Sequence, residues 1–542
     1  MKSHSLIAIL AVLTLALTIS TFEPAVRANA GAGGGVIREA QTQVVQPGPA
    51  PVDFKRAAMY FSGGYAATSV AAVDVDGDGI PDLITTGASC FECVASQVGV
   101  QKGNGDGTFQ AAVSYAAGFE AMGIAVADVN GDGHPDIVTA NVCSTAPEPN
   151  CATGGGVTVL LGNGDGTFQS AVTYGTGAFG SAAVAVADVN KDGKPDLVVA
   201  DYCLDVSNCS IDGAVSVLLG NGDGTFRAAV VQDSTGIYAL SVAVADVNGD
   251  GNPDVLVTNA GRCASCSTGG VTVFPGKGDG TFGTPVSYDT AAWETEGVAV
   301  GDIDGDGHPD IVVASECPTS ATCDQDGVVG VMLNRGDGTF NAALNYRSGA
   351  GGAGSPLIQD LNGDGRPEIV VAANKRKGAV GVLVNMGGGA FLPAAVYSSG
   401  GYGLLAMATA DLDRDGRYDL LAANACTGGS CSAHASLGTV GVLLNDFVAR
   451  SGTAVLSAPN PSQVGQTVTF TATVESPSAV PDGSVVVFSA GTVSLGTGTT
   501  TKGVATLTAS FASAKTYVVK AQYAGDAYHK ASSGKVKQVV TN

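Results

Sequence analysis

Nine residues recur seven times in this chain. Asp74-Val75-Asp76-Gly77-Asp78-Gly79-Ile80-Pro81-Asp82 opens the series, and its copies begin at Asp128, Asp188, Asp246, Asp302, Asp360 and Asp411, 51 to 60 residues apart. A fixed period of this size marks a propeller or a solenoid, where one supersecondary unit is repeated. Each unit reads as four short strands. In the fourth copy, residues 241–247 alternate Val with Ala, the period-two pattern of a strand with one tightly packed face. The acidic loop follows, then a second strand at 254–258, a third at 271–274, a glycine turn at 276–280 and a fourth strand at 281–288. Four strands per unit describe a propeller blade.

The count of fourth strands chooses between a closed ring and an open solenoid. A Gly-Thr-Phe type strand follows copies one to six, near Phe109, Phe168, Phe226, Phe282, Phe340 and Phe391, and is missing after copy seven. A matching segment, residues 54–61, stands ahead of copy one with no blade of its own. This N-terminal strand is therefore expected to complete the last blade, because closure protects sheet edges that otherwise invite aggregation. The 78 glycines and only 14% charged residues agree with an all-β chain of many turns.

The recurrent loops place oxygen side chains at positions 1, 3, 5 and 9 and leave a backbone carbonyl available at position 7. Hard oxygen donors on a tight glycine turn are what Ca²⁺ requires. The candidate ligands are Asp74, Asp76, Asp78, Ile80 and Asp82 in loop one, and Asp128, Asn130, Asp132, His134 and Asp136 in loop two. Loop three offers Asp188, Asn190, Asp192, Lys194 and Asp196, and loop four Asp246, Asn248, Asp250, Asn252 and Asp254. Loop five offers Asp302, Asp304, Asp306, His308 and Asp310. Loop six has Asp360, Asn362, Asp364, Arg366 and Glu368, and loop seven Asp411, Asp413, Asp415, Arg417 and Asp419. Position 7 varies freely, as it should if only its carbonyl is used. An EF-hand shares the opening but needs a Glu at position 12 and flanking helices; here both flanks read as strands. Seven such loops in register would repel themselves without a counter-ion. Up to seven Ca²⁺ would neutralise more than half of the formal charge of −23. Loops six and seven depart from the pattern, with Glu368 at position 9 and Tyr418 in place of the usual Pro.

From Phe54 to Leu444 these residues resemble the FG-GAP/VCBS repeat family, the propeller type that also forms the head of integrin α-chains. The resemblance implies that calcium braces the blades. It also implies a role among adhesion heads, lectins or domains attached to polysaccharide-degrading enzymes. Beyond Thr453 the pattern changes: residues 466–474, 503–507 and 517–523 alternate strictly, as in a sandwich. Residues 485–488 and 523–526 resemble bacterial Ig-like domains of extracellular proteins. The expected fold is thus all-β, a seven-bladed propeller over residues 52–447 followed by an Ig-like β-sandwich over 453–542.

The N-terminus reads as an export signal over residues 1–30, with Lys2, an apolar run from Leu6 to Ile19 and a small-residue cleavage site at Ala28-Asn29-Ala30. A flexible lead-in follows at 31–51. The expectation is a secreted or cell-surface monomer. Its acidity argues against nucleic acid or membrane insertion, since such partners need a basic face or an apolar span. Twelve cysteines fall as Cys90/Cys93, Cys143/Cys151, Cys203/Cys209, Cys263/Cys266, Cys317/Cys323 and Cys426/Cys431, each pair between the second and third strands of a blade. An oxidising compartment would make them six local disulfides.

Strand direction puts the acidic loops at one end of the ring and the cysteine loops at the other. Beside the cysteine loops stand Tyr65, Phe119, Phe179, Tyr238, Trp293 and Tyr402. These aromatics either stack on a glycan or an extracellular protein, or pack between blades. With five histidines, of which only His434 lacks an evident place, no catalytic grouping stands out. The reading is a non-catalytic binding or adhesion module, with an extracellular carbohydrate-active enzyme, a polysaccharide lyase or hydrolase, as the alternative.

Overall fold

The computed structural model describes residues 52–542, apart from 88–95, 145–153, 206–211, 262–267, 319–325, 374–377, 428–436 and 477–479, and without the Tyr65 and Leu437 side chains. The expected signal, the lead-in and most of the cysteine loops lie outside these residues. Every named element among the described residues is a β-strand.

Seven four-stranded antiparallel sheets carry the seven acidic loops. Blade four has Ile237–Ala245, Asp254–Gly261, Gly270–Phe274 and Val286–Asp289 in that order. The second and third strands are buried almost throughout, which explains the unbroken Val and Leu runs of the second and the small Ser and Thr between the valines of the third. First strands of successive blades pack side by side, and that of blade seven, Tyr402–Ala410, meets that of blade one, Ala67–Val73. The ring is closed.

Closure follows the expected route. Ala58–Tyr65 pairs antiparallel with Leu437–Leu443 and completes the sheet of blade seven. Phe54 bridges Asn445 just as Phe109, Phe168, Phe226 and Phe282 bridge Gly103, Gly162, Gly220 and Gly276. The N-terminal segment thus supplies both the turn phenylalanine and the outer strand that the C-terminal end of the ring lacks.

The fourth strands are shorter than the sequence suggested. In blade four the strand is Val286–Asp289 rather than 281–288, because Phe282 is taken up by the turn. That phenylalanine is a seam residue. Phe109, Phe168, Phe226, Phe340, Phe391 and Phe54 each meet edge-on a tyrosine of the preceding blade's outer strand (Tyr60, Tyr115, Tyr174, Tyr288, Tyr346 and Tyr397), with centroids 5.1–5.5 Å apart. Such pairs contribute about 0.5–1.5 kcal/mol each beyond area burial. Blade three has Gln232 at the tyrosine position, and Phe282 turns to Phe274 instead.

The C-terminal domain is a sandwich of a three-stranded sheet, centred on Thr467–Glu475, and a five-stranded sheet, centred on Thr516–Tyr523. Phe470, Phe488, Tyr523 and Val519 fill the space between them. Alternate burial along Thr467–Glu475 matches the alternation in the sequence. Ring and sandwich belong to one compact unit, Pro47–Asn542.

Candidate metal centres and the opposite face

Each acidic loop is wound around its first aspartate. The N–H groups of Gly77, Asp78 and Gly79 donate to the Asp74 carboxylate at 2.7, 3.2 and 2.7 Å, and Ile80 N–H donates to Asp78 at 2.8 Å. Loops two, four and five repeat the set around Asp128, Asp246 and Asp302. Such a turn needs a positive φ at positions 4 and 6, hence Gly77 at 76° and Gly79 at 80°. Lys191 and Arg414 adopt the same left-handed conformation at position 4 without being glycine.

Position 9 has a second task. The buried Asp82 takes Val75 N–H on one oxygen at 2.9 Å and Gly103 N–H on the other at 2.8 Å, tying the acidic loop to the end of the third strand. Asp136, Asp196, Asp254, Asp310 and Asp419 make the same pair of contacts. Burial raises all of these carboxyls, Asp419 to about 7, and pushes the longer Glu368 up to about 8. This bracket escapes sequence reading, which registers only the ligand-like spacing.

The loops form a belt. Gly107, Gly166 and Gly280 N–H, in the third-to-fourth strand turns, donate to Leu412, Val75 and Val189 carbonyls of the preceding blade's acidic loop. Asn334, Asn385 and Asn445 do so with their side chains, to Val247, Ile303 and Leu361.

Oxygens of Asp74, Asp76 and Asp78 lie within 4.8 Å of one another, as do those of Asp302, Asp304 and Asp306. A third group joins Asp411 and Asp413 to Asp419, not to Asp415. In loops one and five, where positions 1, 3 and 5 gather on a preformed turn, such carboxylates suit a hard divalent ion, which would offset their mutual repulsion.

At the other end of the ring, Phe119, Phe179, Trp293 and Tyr402 each open a first strand, opposite Cys143, Cys203, Cys317 and Cys426 in the ladder. All four aromatics are half-buried. Tyr238 departs: Ile237 holds the ladder position, opposite Gly261, and Tyr238 follows at φ 52° with 41% of its surface exposed. Tyr65 has no described side chain. The four cysteines are buried and none is a free thiol, while their expected partners and His434 lie outside the described residues. Between the first strands runs a cavity of about 360 Å³, touched by every blade and lined by Met122, Leu240, Glu296, Leu405 and Tyr202. Burial raises the Tyr202 hydroxyl, and the nearby Glu296 and Glu120 add to that. The Val–Ala alternation hid this channel, because its lining residues differ from blade to blade.

The model of the FG-GAP-like repeat matches residues 94–139, 150–199, 201–257, 263–313, 320–371 and 360–422, more than half of the chain. The chain belongs to the FG-GAP-like repeat family. Residues 455–541 match the bacterial Ig-like domain, group 3. The first acidic loop precedes the matched repeats, yet its hydrogen bonds are those of the others.

Integrin alpha pat-2 of Caenorhabditis briggsae is 34% identical over 164 residues, 26% of this chain and 13% of that protein. Integrin alpha-IIb of Mus musculus is 28% identical over 212 residues, 36% and 20% respectively. Phosphatidylinositol-glycan-specific phospholipase D of Bos taurus is 37% identical over 87 residues, 15% and 10%. The FG-GAP chain spans a fifth or less of these relatives. Among its described residues no helix is long and apolar enough to cross a membrane.

Proposed function

We propose that this is a secreted or cell-surface FG-GAP propeller that binds calcium in its acidic loops and presents its opposite face to a glycan or an extracellular protein. The reading assigns residues 1–30 to an export signal, 52–447 to the ring and 453–542 to an Ig-like domain. Gathered carboxylates in loops one and five, on turns already closed by backbone N–H groups, are the observation that carries the calcium part. Positions 1, 3, 5 and 9 with the position 7 carbonyl would hold the ion, and it would supply charge neutralisation at the belt joining neighbouring blades. Six local disulfides would brace the loops beside the aromatics. The integrin relatives support adhesion over catalysis.

Trp293 is the residue to test, near Glu294 and Glu296 at the start of its strand. A glycan array probed with and without calcium, beside a Trp293→Ala variant, separates the possibilities. Binding that is lost in the variant while its melting curve is unchanged supports this face. Unaffected binding clears Trp293, and cleaved array glycans would favour the carbohydrate-active enzyme instead.

A further inference from the structure

Loops six and seven, which break the repeat, are also the loops that meet the Ig-like domain. Arg417, at position 7 of loop seven, is buried. Its Nη2 pairs with Asp415, its Nε donates to the Asn445 carbonyl at 2.9 Å, and its Nη1 donates to the Ala527 carbonyl of the Ig-like domain at 2.6 Å. Arg366, at the same position of loop six, pairs with the nearly buried Asp364 at 2.6 Å. We propose that in these two loops a guanidinium replaces the divalent ion, and that the replacement converts them into a socket that fixes the Ig-like domain to the ring. The proposal rests on the calcium reading of the other five loops.

Three observations converge on it. The carboxylate group of loop seven excludes Asp415, although the loop has the same four acids as loop five, where Asp306 belongs to the group. A dication entering loop seven would therefore lack one ligand and meet a fixed positive charge. In loop one, by contrast, Lys102 reaches Asp76 at 2.9 Å while also donating to the Asp165 carbonyl, and Asp74, Asp76 and Asp78 stay together.

The departures of loop seven are used by the contact. The other loops carry proline at position 8, which has no N–H. Tyr418 restores one, beside the Tyr528 ring hydroxyl of the Ig-like domain. Arginine at position 7 reaches Ala527, as described. The glycines of both loops also admit the domain closely. A Cβ on Gly363 would lie 2.4 Å from the Tyr528 ring, and one on Gly416 would lie 2.9 Å from Ala527 Cβ.

The docking corner is itself braced. His529 Nδ1 meets Asp526 at 2.7 Å, Ala449 N–H donates to the Tyr528 carbonyl at 2.7 Å, and Lys530 N–H donates to the Ala449 carbonyl at 2.9 Å.

The test is a metal count on the full chain after equilibrium dialysis against calcium, with limited proteolysis of the connection at residues 446–452. The native chain should bind about five ions rather than one per loop. Arg417→Ala should free Asp415, raise the count by one and make the connection cleavable. Tyr418→Pro leaves the charged groups in place, so it should keep the count and still speed cleavage. A full complement of seven ions, or an Arg417→Ala variant unchanged in both readouts, overturns the proposal and leaves the calcium reading standing. A count of zero overturns the calcium reading; the docking is then judged by cleavage alone, and no acceleration in either variant refutes it.

Discussion

Loops five and seven carry the same four aspartates at the same spacing, yet they are built for different neighbours. In loop five Asp302, Asp304 and Asp306 converge beside His308 and Pro309. In loop seven Asp415 has turned to Arg417, and Tyr418 stands where the other loops carry proline. The lesson is that a ligand pattern specifies which oxygens are available, not which cation they receive. A covalently tethered cation two residues away competes with a dissolved one at high effective concentration.

The harshest challenge to this contrast is removal of metal. Chelation should lower the melting temperature by about 10 °C or more, since several native-state sites lose their ligand together. Hydrogen exchange should rise in loop five and stay near its starting level in loop seven. Calorimetry and exchange profiles that ignore the chelator would remove the basis of the comparison.

Phe54→Ala tests the closure beside loop seven. Phe54 packs edge-on against Tyr397 at 5.1 Å and bridges Asn445, the residue whose carbonyl takes Arg417 Nε. Truncating a buried phenylalanine costs about 3–5 kcal/mol, readable as a shifted denaturant midpoint. A shift below 1 kcal/mol, as is usual for surface sites, would mean the ring does not depend on this clasp.

A buried carboxyl far from either loop sharpens the picture of acid without metal. Asp201 is fully buried, bonded by Ser181, Ser216 and Thr176 hydroxyls at 2.6, 2.6 and 3.0 Å, and desolvation raises it from 3.8 to about 6. A raised folded-state value means that its stabilisation is whole below the unfolded value and is lost as pH climbs through about 6. Blades two, four and seven use Asn141, Asn259 and Asn424 at this place. Asp201→Asn should therefore gain on the native chain by up to about 3 kcal/mol between pH 4 and 7 in urea titrations. A constant difference across that range would contradict it.

The smallest effect compares the two loops directly. Asp306→Asn should weaken one calcium site about tenfold, or about 1.4 kcal/mol, in calorimetric titration. Asp415→Asn should leave the calcium isotherm unchanged. Equal losses in both would mean that the two loops hold calcium alike.

Much of the ring could be read from the chain. The seven acidic copies, the orphan segment at 54–61 and the switch to strict alternation after Thr453 each depend on local spacing, and local spacing survives translation into structure. The aromatic positions were less legible. Phe119 and Trp293, read as connection residues beside the cysteine loops, instead open first strands opposite Cys143 and Cys317, and Tyr238 is displaced by one residue because Ile237 takes the place opposite Gly261. The turn phenylalanines looked like strand residues because apolar burial at a blade seam and in a ladder leave the same trace. The tyrosine partners lie on the neighbouring blade, more than forty residues away in every pair, beyond the reach of any periodicity.

Sequence alone determined the repeat, its handful of turn glycines and the acid at each ligand position, since these follow from the stereochemistry of nine consecutive residues. Tertiary structure decided what each acid faces. Asp82 becomes a bracket because the third strand ends beside it, and Asp415 turns to Arg417 in a loop whose guanidinium is also held by the carbonyl of a residue 110 positions further on. Charge acts through space with little regard for chain order, so loops with the same four acids acquire different chemistry once folding chooses their surroundings.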